Sequence, residues 1–142
     1  MAGNGTTGKL RSGLRWLLAL FYAVAGMMHL VQPGPFVTIT PGWVPLPHEV
    51  VLATGIAELA GALALLQPWS LPLRCVGGIG LALYAICVFP ANINHMFMDM
   101  AKDAPVLGWG YHVPRMFAQP LVVWLALWVG NVIDWPFSRR SH

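Results

Sequence analysis

Charge is what this sequence has least of: Lys, Arg, Asp and Glu supply 9% of 142 residues, against about 25% in an ordinary soluble domain. Hydrophobic residues fill 57% of the chain, which excludes disorder and makes a soluble domain a poor fit. The eight Lys and Arg are scattered instead of gathered on one face, too few to follow a nucleic-acid backbone, so no nucleic-acid partner is expected. Cysteine is as sparse. Cys75 and Cys87 share one apolar run, and twelve residues of helix hold them about 18 Å apart, too far for a disulfide within the chain. Without a CxxC, a flavin motif or a nucleotide-binding motif, the chain has no evident redox centre of its own. No internal repeat is visible either.

What is present is four continuous apolar runs, at 14–31, 48–67, 75–95 and 113–133. Each has the length needed to cross about 30 Å of hydrocarbon as a helix. The runs do not alternate and are rich in Leu and Ala, which argues against strands. Breakers fill the joints: Gln32-Pro33-Gly34-Pro35, Pro41 to Pro47, Pro68 to Pro72 and Asp103-Ala104-Pro105. The expected fold is an all-α membrane protein, a four-transmembrane-helix bundle over 14–133, between a flexible tail at 1–13 and a second tail at 134–142.

Lys9, Arg11, Arg15, Arg74, Arg139 and Arg140 fall on one side of these spans and Lys102 on the other. Basic residues are retained on the cytoplasmic side, so both termini are expected there. Trp16, Trp69 and Trp135 mark the inner interface, Trp43 and Trp109 the outer one. The basic N-terminus with Ala23-Val24-Ala25 also fits a cleavable signal peptide. The apolar run continues to Val31, and cleavage would leave an odd number of spans, so an uncleaved first span is favoured.

Ionisable groups are costly in hydrocarbon, about 2.5–3.5 kcal/mol each on insertion scales, and so mark candidate sites. A rise of 1.5 Å per residue puts His29 about 3 Å below the outer boundary, Arg115 about 6 Å, Asn92 about 9 Å, and Glu58 and Gln119 about 12 Å. The inner half contributes almost nothing comparable. Thr54, Gly61 and Ala62 lie on or beside the face of Glu58 and let a second helix approach, which turns Glu58 into the bundle. Arg115 and Gln119 share a face, as do Asn92 and His95. One inward ring of His29, Glu58, Asn92, His95, Arg115 and Gln119 is the candidate ligand site. In it Glu58 is either paired with Arg115 or left unpaired. The same ring also reads as structural glue, holding helices together by interhelical hydrogen bonds. Pro90 and Pro120 kink their helices in this band.

The six methionines after the initiator, Met27, Met28, Met96, Met98, Met100 and Met116, lie near the outer end. Thioethers beside an imidazole suit Cu(I), but methionine fills gaps in apolar packing far more often, and no metal site is assigned. His29, His48, His95 and His112 lack close helical ligand spacing for zinc.

Several segments together resemble the DoxX-like family of bacterial integral membrane proteins: Ala25-Gly26-Met27-Met28-His29-Leu30, Pro41-Gly42-Trp43-Val44-Pro45-Leu46-Pro47, Gly55-Ile56-Ala57-Glu58, Val88-Phe89-Pro90-Ala91-Asn92-Ile93 and Arg115-Met116-Phe117-Ala118-Gln119. The resemblance covers residues 14–133. It departs after Ile93, where Asn94-His95-Met96-Phe97-Met98 replaces a shorter continuation. It implies a four-helix inner-membrane protein with polar positions at His29, Glu58, Asn92, Arg115 and Gln119. It also implies an accessory subunit of a redox, thiol or oxidative-stress system that binds a quinone or small sulfur compound, with the lipid bilayer, redox proteins or further copies of itself as partners. The alternative is a non-catalytic scaffold or assembly factor.

Overall fold

The computed structural model describes residues 3–136. Its elements are α1 (Gly3–Val31), α2 (Gly34–Ile39), α3 (Pro47–Leu66), α4 (Leu71–Met100) and α5 (Trp109–Val129). No strand occurs among the described residues. Three helices are long and apolar enough to cross a membrane, within Gly5–Val31, Pro47–Leu66 and Leu71–Met100. Their outward faces carry Leu17, Leu20, Val24, Ile56, Leu63, Val76 and Leu83, all exposed, as lipid requires and water does not. The chain is an all-helical, multi-pass membrane protein. α5 has 21 residues, but His112, Arg115 and Gln119 hold it short of the same apolar standard.

Proline opens three of these helices. It stands in the first turn of α2, α3 and α4, where its missing N–H leaves nothing unpaired. Ser70 caps α4 by accepting a hydrogen bond from the Leu73 N–H. α5 starts from Gly108, whose φ of 65° suits only glycine. It ends at Gly130, where the Val132 N–H turns back to the Leu127 carbonyl.

α3 packs between α1 and α4, α4 between α3 and α5, and a lighter contact between α5 and α1 closes the circuit. The core runs through the middle of it: Leu18, Ala19 and Tyr22 of α1, Ala62 and Leu65 of α3, Leu81 and Ala82 of α4, and Ala126, Trp128 and Val129 of α5. Glycines make the approaches close. A Cβ on Gly55 would stand 2.8 Å from His29 Cβ and 2.9 Å from the Gly26 carbonyl, and one on Gly78 2.7 Å from the Ala126 carbonyl. Backbone cannot step aside, so Gly55→Val is expected to push α1 from α3 and destabilise the fold by about 1–3 kcal/mol, the usual cost of overpacking. Unfolding in mixed detergent, compared with Ala57→Val at an exposed neighbour on α3, checks this.

The helices are longer than the apolar runs. α1 begins at Gly3, so residues 3–13, expected as a flexible tail, are helical. This extension is tied down by Arg11, whose guanidinium meets Asp134 at 2.6 Å and lies over the Trp128 ring at 4.7 Å. α4 runs past His95 to Met100, and α5 is displaced toward its N-terminus, ending four residues before 133 because Asn131 takes a positive φ of 64°. The proline-rich stretch after α1, expected as a plain joint, contains α2. Residues 1–2 and 137–142, including Arg139 and Arg140 of the expected C-terminal tail, lie outside the described residues. Cys75 and Cys87 are free, and Cys87 is exposed on α4.

Candidate functional site

The single polar ring expected from depth alone divides into two clusters. α3 and α5 share no extensive contact, so Glu58 and Arg115 belong to different helix pairs. Glu58 is therefore neither paired with Arg115 nor alone. Its Oε2 stands 2.7 Å from His29 Nδ1 across the α1–α3 contact. Glu58 is 3% exposed and His29 8%. The imidazole nitrogen and carboxylate oxygen are close but not aligned as a hydrogen bond, and neither atom has another hydrogen-bond partner. The contact is an electrostatic one, made possible by Gly26 and Gly55, which let the helices meet at this level. Tyr22 of α1 meets the ring of Tyr84 of α4 edge to face at 6.0 Å.

α2 covers this cluster from the outer end. Phe36 sets its ring edge to face against His29 with centroids 3.9 Å apart. The C-terminal carbonyl of α2, Ile39 O, accepts a 2.9 Å hydrogen bond from Asn94 Nδ2 of α4. Six residues make a helix too short to persist alone; these two contacts hold it.

The second cluster joins α4 and α5. Arg115 donates through one terminal nitrogen to Asn92 Oδ1 at 2.6 Å and through the other meets His95 Nδ1 at 2.8 Å. Asn92 in turn donates to Gln119 Oε1 at 3.0 Å, and Gln119 Nε2 donates to the Ala85 carbonyl. Pro90 removes the N–H partner of the Ile86 carbonyl, yet the carbonyl that Gln119 serves is the neighbouring one. Among the described residues Arg115 takes part in no ion pair, and its guanidinium leans over Tyr111 at 5.6 Å. A guanidinium carries five N–H donors, and its two acceptors here hold no full negative charge. Gln119 also lines an open apolar groove of about 540 Å³ between α4 and α5, with Ile86, Phe89, Met116, Phe117 and Pro120.

Two further groupings were not apparent from the sequence. At the outer rim Asp99, 1% exposed, accepts from the backbone N–H groups of Val106, Leu107 and Gly108 at 3.0–3.1 Å. Its Oδ2 also lies 3.2 Å from His112 Nε2, and Lys102 approaches Oδ1 at 3.2 Å. His112 is wholly buried, and its ring meets that of His95 at 5.3 Å. The spacing of Asp99 four residues after His95, and of His112 three before Arg115, was the available signal. At the opposite end, Arg11, Arg15 and Asn131 are drawn inward, so that half is more polar than expected. Among the described residues no three His, Cys, Asp or Glu side chains converge as metal ligands. Met27, Met28 and Met98 are exposed on the surface.

No curated protein and no solved structure matches the chain. A family match does exist, over residues 18–132. That stretch takes in both polar clusters, α2 above one of them and all of α3, α4 and α5, and on it the chain belongs to the family described as a domain of unknown function, DUF8561.

Proposed function

We propose that the chain is a DoxX-like accessory subunit of a membrane redox or thiol system, binding a quinone or small sulfur compound in the outer half of a four-span bundle. α5 is then the fourth span; its 21 residues extend about 31 Å, the thickness of the hydrocarbon layer. Both termini lie on the cytoplasmic side, where Lys9, Arg11, Arg15 and Arg74 collect, in a bacterial inner membrane. One observation carries the ligand: Arg115 is a cation in the bundle whose protein partners, Asn92 and His95, leave its charge uncompensated. A quinone carbonyl or a sulfur oxyanion accepts hydrogen bonds from such a group, and Asn92, His95 and Gln119 fix where it points. His29 and Glu58 stand apart from it as a second cluster on α1 and α3. Electrons come from, or pass to, a partner protein or a quinone, because the chain has no CxxC, flavin or nucleotide motif.

Arg115→Gln is the test. In lipid nanodiscs the wild-type chain is expected to bind a short-chain ubiquinone or thiosulfate, and the variant to bind about tenfold to a hundredfold more weakly, as for loss of a charged hydrogen bond. A folded Arg115→Gln chain with unchanged affinity for both overturns the proposal. The scaffold reading rests on a different observation, the interhelical hydrogen bonds from Asn92 to Gln119 and from Gln119 to Ala85. It predicts that Gln119→Leu loosens α4 from α5 while no ligand binds either chain.

A further inference from the structure

Three arginines gather at the end of the bundle opposite the clusters described above. Arg11 and Arg15 are four residues apart and share a face of α1; Arg74 stands in the first turns of α4. All three surround the turn that ends α5. Arg11 meets Asp134 at 2.6 Å and covers Trp128. Arg15 donates to the Val129 carbonyl and to Asn131 Oδ1, both at 3.0 Å. The Arg74 carbonyl lies against Gly130, and its side chain donates to the Gln67 carbonyl at 2.9 Å. The guanidinium groups are near enough that Arg15 is repelled by both of the others.

The local balance of charge and donors is incomplete. Among the described residues, one carboxylate, Asp134, whose side chain is half exposed, and the negative end of the α5 dipole, worth about half a charge, stand against the three cations. Each guanidinium has five N–H donors, which together exceed the few acceptors offered by the described residues around them. Arg11 is buried beneath Asp134 and Trp128, whereas Arg15 and Arg74 are half-buried and keep part of their surface at this end of the bundle. Around the same end Trp16, Trp69 and Trp135 project outward, exposed by 61%, 79% and 71%. Indole rings favour the headgroup level, so the arginines lie at the depth of phospholipid phosphates.

We propose that Arg11, Arg15 and Arg74 form a binding site for a phosphate-type oxyanion, filled in the membrane by the headgroup of an anionic phospholipid. A phosphate presents several acceptor oxygens on one compact centre, which suits guanidinium groups arriving from two helices. A carboxylate offers two oxygens in one plane, and Asp134 already fills that role for Arg11. The bound headgroup bridges α1 and α4 across the α5 end and completes the closure that Arg11 and Arg15 begin. This site is independent of the ligand proposed at Arg115.

The test uses the full chain, extracted in detergent and doped with equal amounts of phosphatidylglycerol and phosphatidylcholine, read by native mass spectrometry. The wild type is expected to retain the anionic lipid with about a tenfold preference, consistent with the attraction of a few basic residues at a membrane surface. Arg74→Gln is the variant of choice, since its side chain makes one protein hydrogen bond. It should lose the preference while keeping its helical circular dichroism, and Arg74→Lys should keep part of it. Inorganic phosphate, titrated at constant ionic strength, separates the sources. Displacement of the lipid by phosphate shows an oxyanion site open to the free anion, and retention against phosphate shows a headgroup site. Equal retention of the two lipids by the wild type, or an undiminished preference in folded Arg74→Gln, overturns the proposal.

Discussion

Replacing His29 with leucine is expected to destabilise the protein by about 3–5 kcal/mol, because it leaves the buried Glu58 carboxyl group in the α1–α3 contact without the imidazole that stands 2.7 Å from it. The reciprocal change should be milder. In Glu58→Gln an amide still faces the imidazole, and a buried amide and ring are far cheaper to leave poorly paired than a buried carboxyl group. Combining the two should restore part of the loss, since the double variant buries no charge at all. The ordering His29→Leu below His29→Leu/Glu58→Gln, and both below wild type, is the signature of a coupled pair and not of two separate packing defects. Reversible unfolding by SDS titration from mixed micelles measures all three. Strictly additive losses would show that the two residues do not support one another. Phe36 rests on the His29 ring, so His29→Leu should also release α2, visible as faster amide exchange over residues 36–39.

Asp99→Ala is the second large effect, expected at about 2–4 kcal/mol. One carboxylate holds three consecutive backbone N–H groups of the α4–α5 loop and orients His112. Its loss leaves those donors partly to water at the exposed loop, which keeps the cost below that of three fully buried orphans. Amide exchange at residues 106–108 should accelerate by about 30-fold to 1000-fold, the same free energy expressed as a rate. Asp99→Asn should not rescue. The new NH2 replaces an acceptor oxygen and faces either the Leu107 and Gly108 donors or that of Val106. An asparagine variant with wild-type exchange would show that the shape of the side chain, and not its two acceptor oxygens, holds the loop.

The apolar runs were legible because the bilayer imposes a length and a composition that few other environments require. Small residues around Glu58 predicted its inward direction, and its burial agrees. The i, i+3 and i, i+4 spacings that put Asn92 with His95 and Arg115 with Gln119 foretold groups that do meet, because helical geometry fixes them locally. Which pair faces which was not legible. Depth along the membrane normal placed Glu58 and Arg115 together, whereas the order of packing puts them on helices without extensive contact. α2 was missed for a related reason: Pro33, Gly34 and Pro35 read as breakers, and six residues become helical only where Phe36 and Ile39 find partners. The helical start of α1 likewise depends on Arg11 reaching Asp134, more than a hundred residues away in the chain.

The sequence by itself determined that this is a membrane protein built of helices, three of them long and apolar enough to span, and that six polar side chains interrupt its apolar runs. These follow from hydropathy and from the period of a helix, which act over a few turns. Only the tertiary structure decided that the six form two clusters, that Glu58 meets His29 and not Arg115, that Asp99 fastens the α4–α5 loop, and that three arginines converge at the other end. Pairing is set by how closely two helices approach, and Gly26 against Gly55 and Gly78 against Gly130 show that this is governed by contacts between residues far apart in the chain.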